Sequence, residues 1–505
     1  MDESRTEVLV IGAGPTGLFI AGELARHGVR ARIIDKELTP HTQTRATEIQ
    51  PAVLEVLQRA GMVEKFLEAS LPMKGLRIVD ANMEEAYVFS IPEADCPYPN
   101  TRSMPQWRTE EILSERLSSL GIEVERGVTA QDITLSDNGA RVECVDSNGR
   151  TFVIHADYLV GAGGAHSPSR GALNERLAGI TYPRRYLVAD VAASGVHGED
   201  HLISVAISTS GMVMTIELPD GRSLVLTDLP ESSSPAVPPV IDDVREALTA
   251  HLNRPFEVSD LRWASVYRMH RRMSPKFSEG RCFLAGDAAH ISSPLGGEGL
   301  NAGILDGASL AWMLAAVLRR GGKPDLLDAY GVERQEVARQ ALASSDAMHG
   351  YYDALVEMAV AGKPLAEPPD DPTRIVKSGS MLDITLGESP ILGFYGSALG
   401  RRSLKPGCRF PARTKLSGGL HQLLVYHSAE AWDQETFAKR WADALEIVDG
   451  DSICPPEVSG VSASGAILVR PDGYVGFQAE KWNEEARNAL DGLLEIQFSP
   501  ESGRA

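Results

Sequence analysis

The stretch EVLVIGAGPTGLFIAGELARHGVRARIIDKE, from Glu7 to Glu37, decides the fold. Val8 to Ile11 is an unbroken apolar run and reads as a buried strand. Gly12, Gly14 and Gly17 follow in GxGxxG spacing, and an apolar helix runs from Leu18 to Ala25. A second strand, Ala31 to Ile34, ends at Asp35. The glycines allow a tight turn, close approach of backbone to a pyrophosphate, and tight helix–strand packing. Asp35 stands about 20 residues on, where an acid meets a ribose hydroxyl. The order strand, glycines, helix, strand, acid predicts a Rossmann-like dinucleotide unit.

A second segment points to the same ligand from far along the chain. GRCFLAGDAAHISSPLGGEGLNAGILDG, Gly280 to Gly307, reads as a strand (Cys282 to Ala285), an Asp on a glycine turn (Gly286, Asp287), and a Gly-rich loop opening a helix near Asn301. The carboxylate suits a ribose hydroxyl, and bare N–H groups at a helix start suit an anion or an electron-rich ring edge. One dinucleotide clamped by both segments accounts for the pair.

With these motifs in place, nearly the whole chain resembles the FAD-dependent class A flavoprotein monooxygenases, the aromatic and polyketide hydroxylases, of para-hydroxybenzoate-hydroxylase type. The resemblance implies non-covalent FAD held by Gly12, Gly14, Pro15, Thr16, Gly17, Asp35, Lys36, Arg45, Gln106, Gly286, Asp287, Pro294, Gly297, Gly299, Leu300 and Asn301. Arg45 corresponds to an Arg near the cofactor phosphates, Gln106 to a Gln near the ribityl chain, and Pro294 to Asn301 to the loop beside the isoalloxazine ring. Two positions depart from the pattern. In YLVGAGGAHSPSR, Gly163 stands where Asp is usual, which bears on reduction by NAD(P)H more than on FAD binding. Glu298 replaces a commoner Gln, and a carboxylate there is expected to make the ring harder to reduce.

Composition agrees. The chain has 505 residues, enough for two or three domains, and 43% hydrophobic content. A formal charge of −20 argues against nucleic acid and anionic membranes as partners. Five scattered cysteines, with no CxxC or CxxH, indicate neither a disulfide framework nor a metal site, and fit a reducing cytoplasm. No signal segment is read at MDESRTE, and the apolar helix near Ala308 to Leu318 is read as core, too short to cross a membrane.

The expected fold class is α/β. A discontinuous Rossmann-like FAD domain takes residues 1–75, 101–175 and 276–395. An inserted, mainly antiparallel sheet of residues 76–100 and 176–275 binds substrate. Residues 396–505 resemble a thioredoxin-like domain, without the CxxC that redox exchange needs. Monomer and homodimer both remain open.

The implied chemistry is carried by the cofactor: NADPH or NADH reduces FAD, and a flavin C4a-hydroperoxide passes oxygen to an aromatic ring. No side-chain nucleophile is needed, so Arg45 and Pro294 are the only catalytic candidates. Met212, Met214 and Pro294 are substrate candidates, the two methionines sharing one face of a strand, where they equally fit core packing. His290 reads as a structural imidazole more readily than a base, and His349, Tyr351 and Tyr352 as packing. Three functions stay open: hydroxylation of an aromatic or polyketide-like compound; the same chemistry inactivating an aromatic antibiotic; and a flavin-containing ligand binder with poor NAD(P)H turnover, kept open by Gly163. No WxWxIP segment supports a halogenase.

Overall fold

The computed structural model describes residues 2–90, 96–193, 200–254, 256–365, 380–396, 404–411, 418–426, 432–455, 461 and 464–500. Val8, Leu9, Val10 and Ile11 have apolar side chains on both faces, and a strand of that kind is stable only when both faces are covered. The Asp2–Ile11 strand accordingly lies inside the first sheet, parallel to Thr151–Gly161 on one side and Ala31–Asp35 on the other. Val124–Arg126 and Cys282–Leu284 extend the sheet in parallel, and an antiparallel pair, Thr129–Ser136 and Gly139–Val145, folds back on one end. The first helix, Pro15–Arg26, begins earlier than the apolar run suggests, because a proline fits the first helical turn, where no N–H is needed.

The helix after the glycine loop is also longer than expected: Glu298–Arg319, not a stretch opening near Asn301. It is long and apolar enough to cross a membrane, but 89% of its apolar window is buried inside the protein. It packs against the first helix and against a 33-residue helix, Asp328–Val360. It is a core helix, as read, although its full length exceeds the apolar run that suggested it.

The second sheet runs, by residues, 290–291, 258–273, 178–193, 223–229, 211–217, 202–208, 75–80 and 85–90, antiparallel except where 202–208 meets 75–80. Its alternation puts Met212, Met214, Ile216, Leu224 and Leu226 on one face, against Tyr352, Leu355 and Val356 of the long helix. The other face is covered by helix Ile241–Thr249 through Val244, Ala247 and Leu248. Each fully buried Leu, Val or Met side chain contributes about 1.5–3 kcal/mol. Two short pieces cross the expected boundaries: His290–Ile291 pairs with the second sheet, and Gly393–Tyr395 with the third. Both are short strands whose backbone groups need a sheet edge, and local sequence does not say which edge.

The third sheet, near the C-terminus, has the order 393–395, 475–479, 466–469, 421–425, 445–449. His421–Val425 is parallel to Leu445–Asp449 and antiparallel to Ala466–Val469, which is antiparallel to Val475–Ala479. All five cysteines are free.

The turn at Arg470–Asp472 ties this unit to the rest. Asp472 accepts from Ser309 Oγ (2.8 Å) and Trp312 Nε1 (3.0 Å) of the core helix. Arg470 grips both oxygens of Glu333 on the long helix (2.7 and 2.8 Å) and pairs with Asp472 (2.6 Å). Burial pushes the Asp472 carboxyl up, but the Arg470 charge and three hydrogen-bond donors hold it down to about 2.

Candidate cofactor and substrate cleft

A cleft of about 830 Å³ opens between the carboxyl ends of the first sheet's strands and one face of the second, the place where open parallel sheets bind ligands. Of the expected cofactor contacts, Gly12, Gly14, Pro15, Thr16, Asp35, Lys36, Arg45, Gln106, Asp287, Pro294, Gly297, Gly299 and Leu300 line it. Gly17, Gly286 and Asn301 do not, and each instead shapes the cleft from behind. A Cβ on Gly17 would overlap the Gly12 carbonyl, and one on Gly286 would crowd Thr16. Asn301 donates to the carbonyls of Glu48 (2.8 Å) and Gly297 (2.6 Å) and accepts from Gln50 N–H (2.9 Å). It staples the glycine loop to the Glu48–Ile49 strand.

Gly14 tests the fit to a dinucleotide. Its φ is −76°, and a Cβ there would meet no protein atom within 4 Å. The protein itself does not require glycine at this point, so the open space fits a ligand that approaches the backbone. Beside it the first helix starts with no side-chain cap, and the core helix likewise starts uncapped at Gly297, φ +64°. Uncapped N–H groups at two helix starts suit the pyrophosphate and an electron-rich ring edge.

The acids are held by backbone. Asp35 accepts from Ala13 N–H (2.6 Å) and Glu37 N–H (2.8 Å), which fixes it at the cleft wall. Asp287 is open to the cleft yet deep within it, and burial raises its pKa, opposed by the charges of His290 and Arg45. Behind Asp287, Asp306 accepts from Gly286 N–H (2.9 Å), His290 Nε2 (2.8 Å) and Arg334 Nε (2.8 Å). Burial pushes the Asp306 carboxyl up, but the His290 and Arg334 charges win and hold it low. His290 is thus an orienting imidazole buried with its carboxylate. Arg45 is exposed, lines the cleft and makes no ion pair among the described residues, so its guanidinium is available to phosphate. Gln106 donates to Glu110 (2.9 Å), and Glu110 raises the pKa of His41 at 3.4 Å.

The two departures resolve differently. Gly163 lines the cleft with an ordinary φ of −79°, and a Cβ there would stand 3.5 Å from Pro168. A side chain fits; it is the neighbouring Gly164 that needs φ +71°. The expectation for Glu298 is corrected. Its carboxyl is not on the cleft surface but lies 1% exposed beside Ser344, Ser345 and Gly296. Burial, with Glu48 nearby, pushes its pKa up to about 8, so at neutral pH it is mostly uncharged, as a Gln would be.

Beyond the glycine loop the cleft is apolar. Val188, Met214, Ile216, Leu224, Leu226 and Tyr267 face Pro294 and Leu295. Met214 is where it was expected. Met212 is not: it lies on the same face but belongs to the buried core past the end of the cleft. Tyr352 is 3% exposed and His349 stacks on Tyr182 at 4.1 Å, so both pack. Sequence reasoning missed Tyr267 and Glu48; the alternation of the Val258–Met273 strand marks the first, and no local signal marks the second. Among the described residues no group of acids, histidines and cysteines is placed to hold a metal.

Residues 5–345 match a family profile described as an FAD binding domain, and residues 404–499 one described as aromatic-ring hydroxylase, C-terminal. A 6-methylpretetramide 4-monooxygenase from Streptomyces rimosus is 31% identical, covering 94% of this chain and 91% of its own. A flavin-dependent monooxygenase from Mycobacteroides abscessus is also 31% identical, over 97% and 99%. The crystal structure of the flavin-dependent monooxygenase PieE, in complex with FAD and substrate, superposes with a TM-score of 0.85 at 20% identity, over 98% and 100% of the two chains.

Proposed function

The chain belongs to the FAD-dependent aromatic-ring hydroxylases, and from that premise we propose that it hydroxylates a polycyclic, polyketide-like aromatic small molecule. It is an FAD-dependent monooxygenase. The observation that carries the substrate reading is the continuity of the cleft. A glycine- and acid-lined half suited to a dinucleotide opens directly onto an apolar chamber walled by Met214, Leu226 and Tyr267. Such a chamber favours a flat, mostly apolar ring system.

When bound, FAD supplies the redox chemistry, accepting electrons from NADPH or NADH and activating molecular oxygen. The protein supplies the rest. In this reading Gly14, Pro15 and Thr16 take the pyrophosphate and Arg45 offsets its charge. Asp35 and Asp287 hold the sugar hydroxyls, with Lys36 and Gln106 beside them. Pro294, Gly297, Gly299 and Leu300, which line the cleft next to the apolar chamber, would hold the ring. The apolar walls keep water from the reacting centre. NAD(P)H use and the free cysteines fit the cytoplasm.

The test is oxidation of NADPH and of NADH by the purified holoenzyme, with and without a panel of polycyclic phenols and quinones, followed by mass spectrometry. The expected result is stimulated oxidation and a product heavier by one oxygen atom. A set of ring compounds that bind without stimulation or product would instead support the ligand-binder reading that Gly163 kept open.

A further inference from the structure

Residues 36–47 join Ala31–Asp35 to Glu48–Ile49 and contain neither helix nor strand. His41, Arg45, Ala46 and Thr47 of this segment line the cofactor half of the cleft. The Arg45 charge is felt at His41 and at Asp287. A segment without a backbone ladder takes its position from its ends and its side-chain ties. Its far end is tied where Met104 N–H donates to the Thr47 carbonyl (2.7 Å). In between, among the described residues, two side-chain ties hold it. His41 meets Glu110 at 3.4 Å. Thr44 Oγ1 donates to Asp190 Oδ2 at 2.7 Å, and both residues are fully buried. A loop threonine commonly bonds backbone a few residues away. This one reaches a partner 146 residues later, in the second sheet.

Asp190 is a rigid anchor. It lies within Ala178–Ala193, paired with Leu224 on one side and Trp263 on the other. Arg222 Nε donates to its second oxygen (2.6 Å), and Arg222 is itself held by Asp260 Oδ2 and the Asp260 carbonyl (both 2.6 Å). A carboxylate taken wholly out of water is costly even when paired, and a backbone carbonyl would have satisfied one threonine hydroxyl as well. We propose that Asp190 is a positioning residue for Arg45: through Thr44 it fixes, from the second sheet, where the Arg45 guanidinium stands in the cleft. The proposal rests on the reading of Arg45 as partner of the cofactor pyrophosphate. Neither Thr44 nor Asp190 lines the cleft, so neither touches the cofactor. A long cationic side chain keeps its geometry only if the backbone that carries it is held, and the hydroxyl bond to Asp190 holds that backbone one residue away.

The experiment follows FAD release by fluorescence as the holoenzyme is diluted. Wild type, Thr44→Val, Thr44→Ser, Arg45→Ala and the double variant Thr44→Val with Arg45→Ala are compared. Thr44→Val keeps the shape of the side chain, severs the tie to Asp190 and leaves the Asp190–Arg222 pair whole. It is expected to weaken FAD roughly tenfold, the size of one hydrogen bond to a charged group. Thr44→Ser restores the affinity. Arg45→Ala weakens FAD at least as much, and adding Thr44→Val to it changes nothing further, because the tie acts through the guanidinium. Wild-type affinity in Thr44→Val overturns the proposal. So does an equal loss from Thr44→Val with and without Arg45, which gives the tie a structural part alone. Wild-type affinity in Arg45→Ala overturns the reading of Arg45 itself, and this proposal with it.

Discussion

Replacing Glu298 by Gln should stabilise the protein, and the gain should depend on pH. Glu298 is 1% exposed, and burial, with Glu48 nearby, raises its carboxyl from 4.5 to about 8. In the unfolded chain the group releases its proton near the ordinary value; in the fold it keeps it. Between those two values the folded state binds more protons than the unfolded one, so stability falls as pH rises. The penalty is absent below about 4.5, grows through neutrality and levels off above about 8. From 4.5 to pH 7 is about 2.5 units at about 1.4 kcal/mol each, an upper bound of about 3.5 kcal/mol. Relaxation around the carboxyl reduces this, so a gain of roughly 1–3 kcal/mol at pH 7 is expected. Urea unfolding of the holoenzyme at several pH values between 5 and 9 measures it. Glu48, raised to about 7, leaves its own slope in both proteins, so the difference between them is the readout. The two curves should converge toward pH 5 and separate toward pH 8. The flavin reduction potential should agree at pH 7 and diverge only above pH 8. A difference in stability that is constant with pH, or a less stable variant, would refute the burial argument.

Three further outcomes follow from the geometry. Gly163→Asp should fold and bind FAD normally, since its φ and surroundings accept a side chain, and stopped-flow reduction by NAD(P)H should be faster than in wild type; an equal rate assigns this glycine no part in reduction. Asp287→Ala should weaken FAD by about 1–3 kcal/mol, measured by flavin fluorescence during titration of the apoprotein; unchanged affinity counts against a sugar contact. Arg470→Ala leaves Glu333 and Asp472 buried without their cation and should cost about 3–5 kcal/mol in urea unfolding; a loss below about 1 kcal/mol contradicts the buried-network account.

The nucleotide half was legible because its chemistry is local: glycines, helix start and acid follow one another within thirty residues, and Asp287 sits on its own turn. Gly17 and Gly286 stand behind the cleft wall, and sequence does not separate a glycine that lines a cleft from one that admits Thr16 or a carbonyl; Asn301 stands there too, bonded to the Glu48 and Gly297 carbonyls. Met212 and Met214 are equivalent by alternation, and only the end of the cleft distinguishes them. The charge of Glu298 was misjudged for a similar reason. A residue type implies ionisation in water, whereas burial against Ser345 is a property of the packed long helix, nearly fifty residues away. Glu48 was invisible because it reaches the cleft from a two-residue strand, too short to carry a pattern.

The Arg470–Asp472 turn has a consequence for modularity. Ser309 and Trp312 lie on the helix that begins at the ring loop, and their polar atoms are satisfied by Asp472, from a segment more than 150 residues later. A chain cut before the third sheet would leave a buried hydroxyl, an indole N–H and the Glu333 carboxylate bare within the domain meant to hold FAD. The C-terminal unit is therefore not a detachable appendage. In a chimera that borrows a relative's tail, this turn and the two helices it meets must be exchanged together, or the cofactor loop will stand on an unfinished foundation.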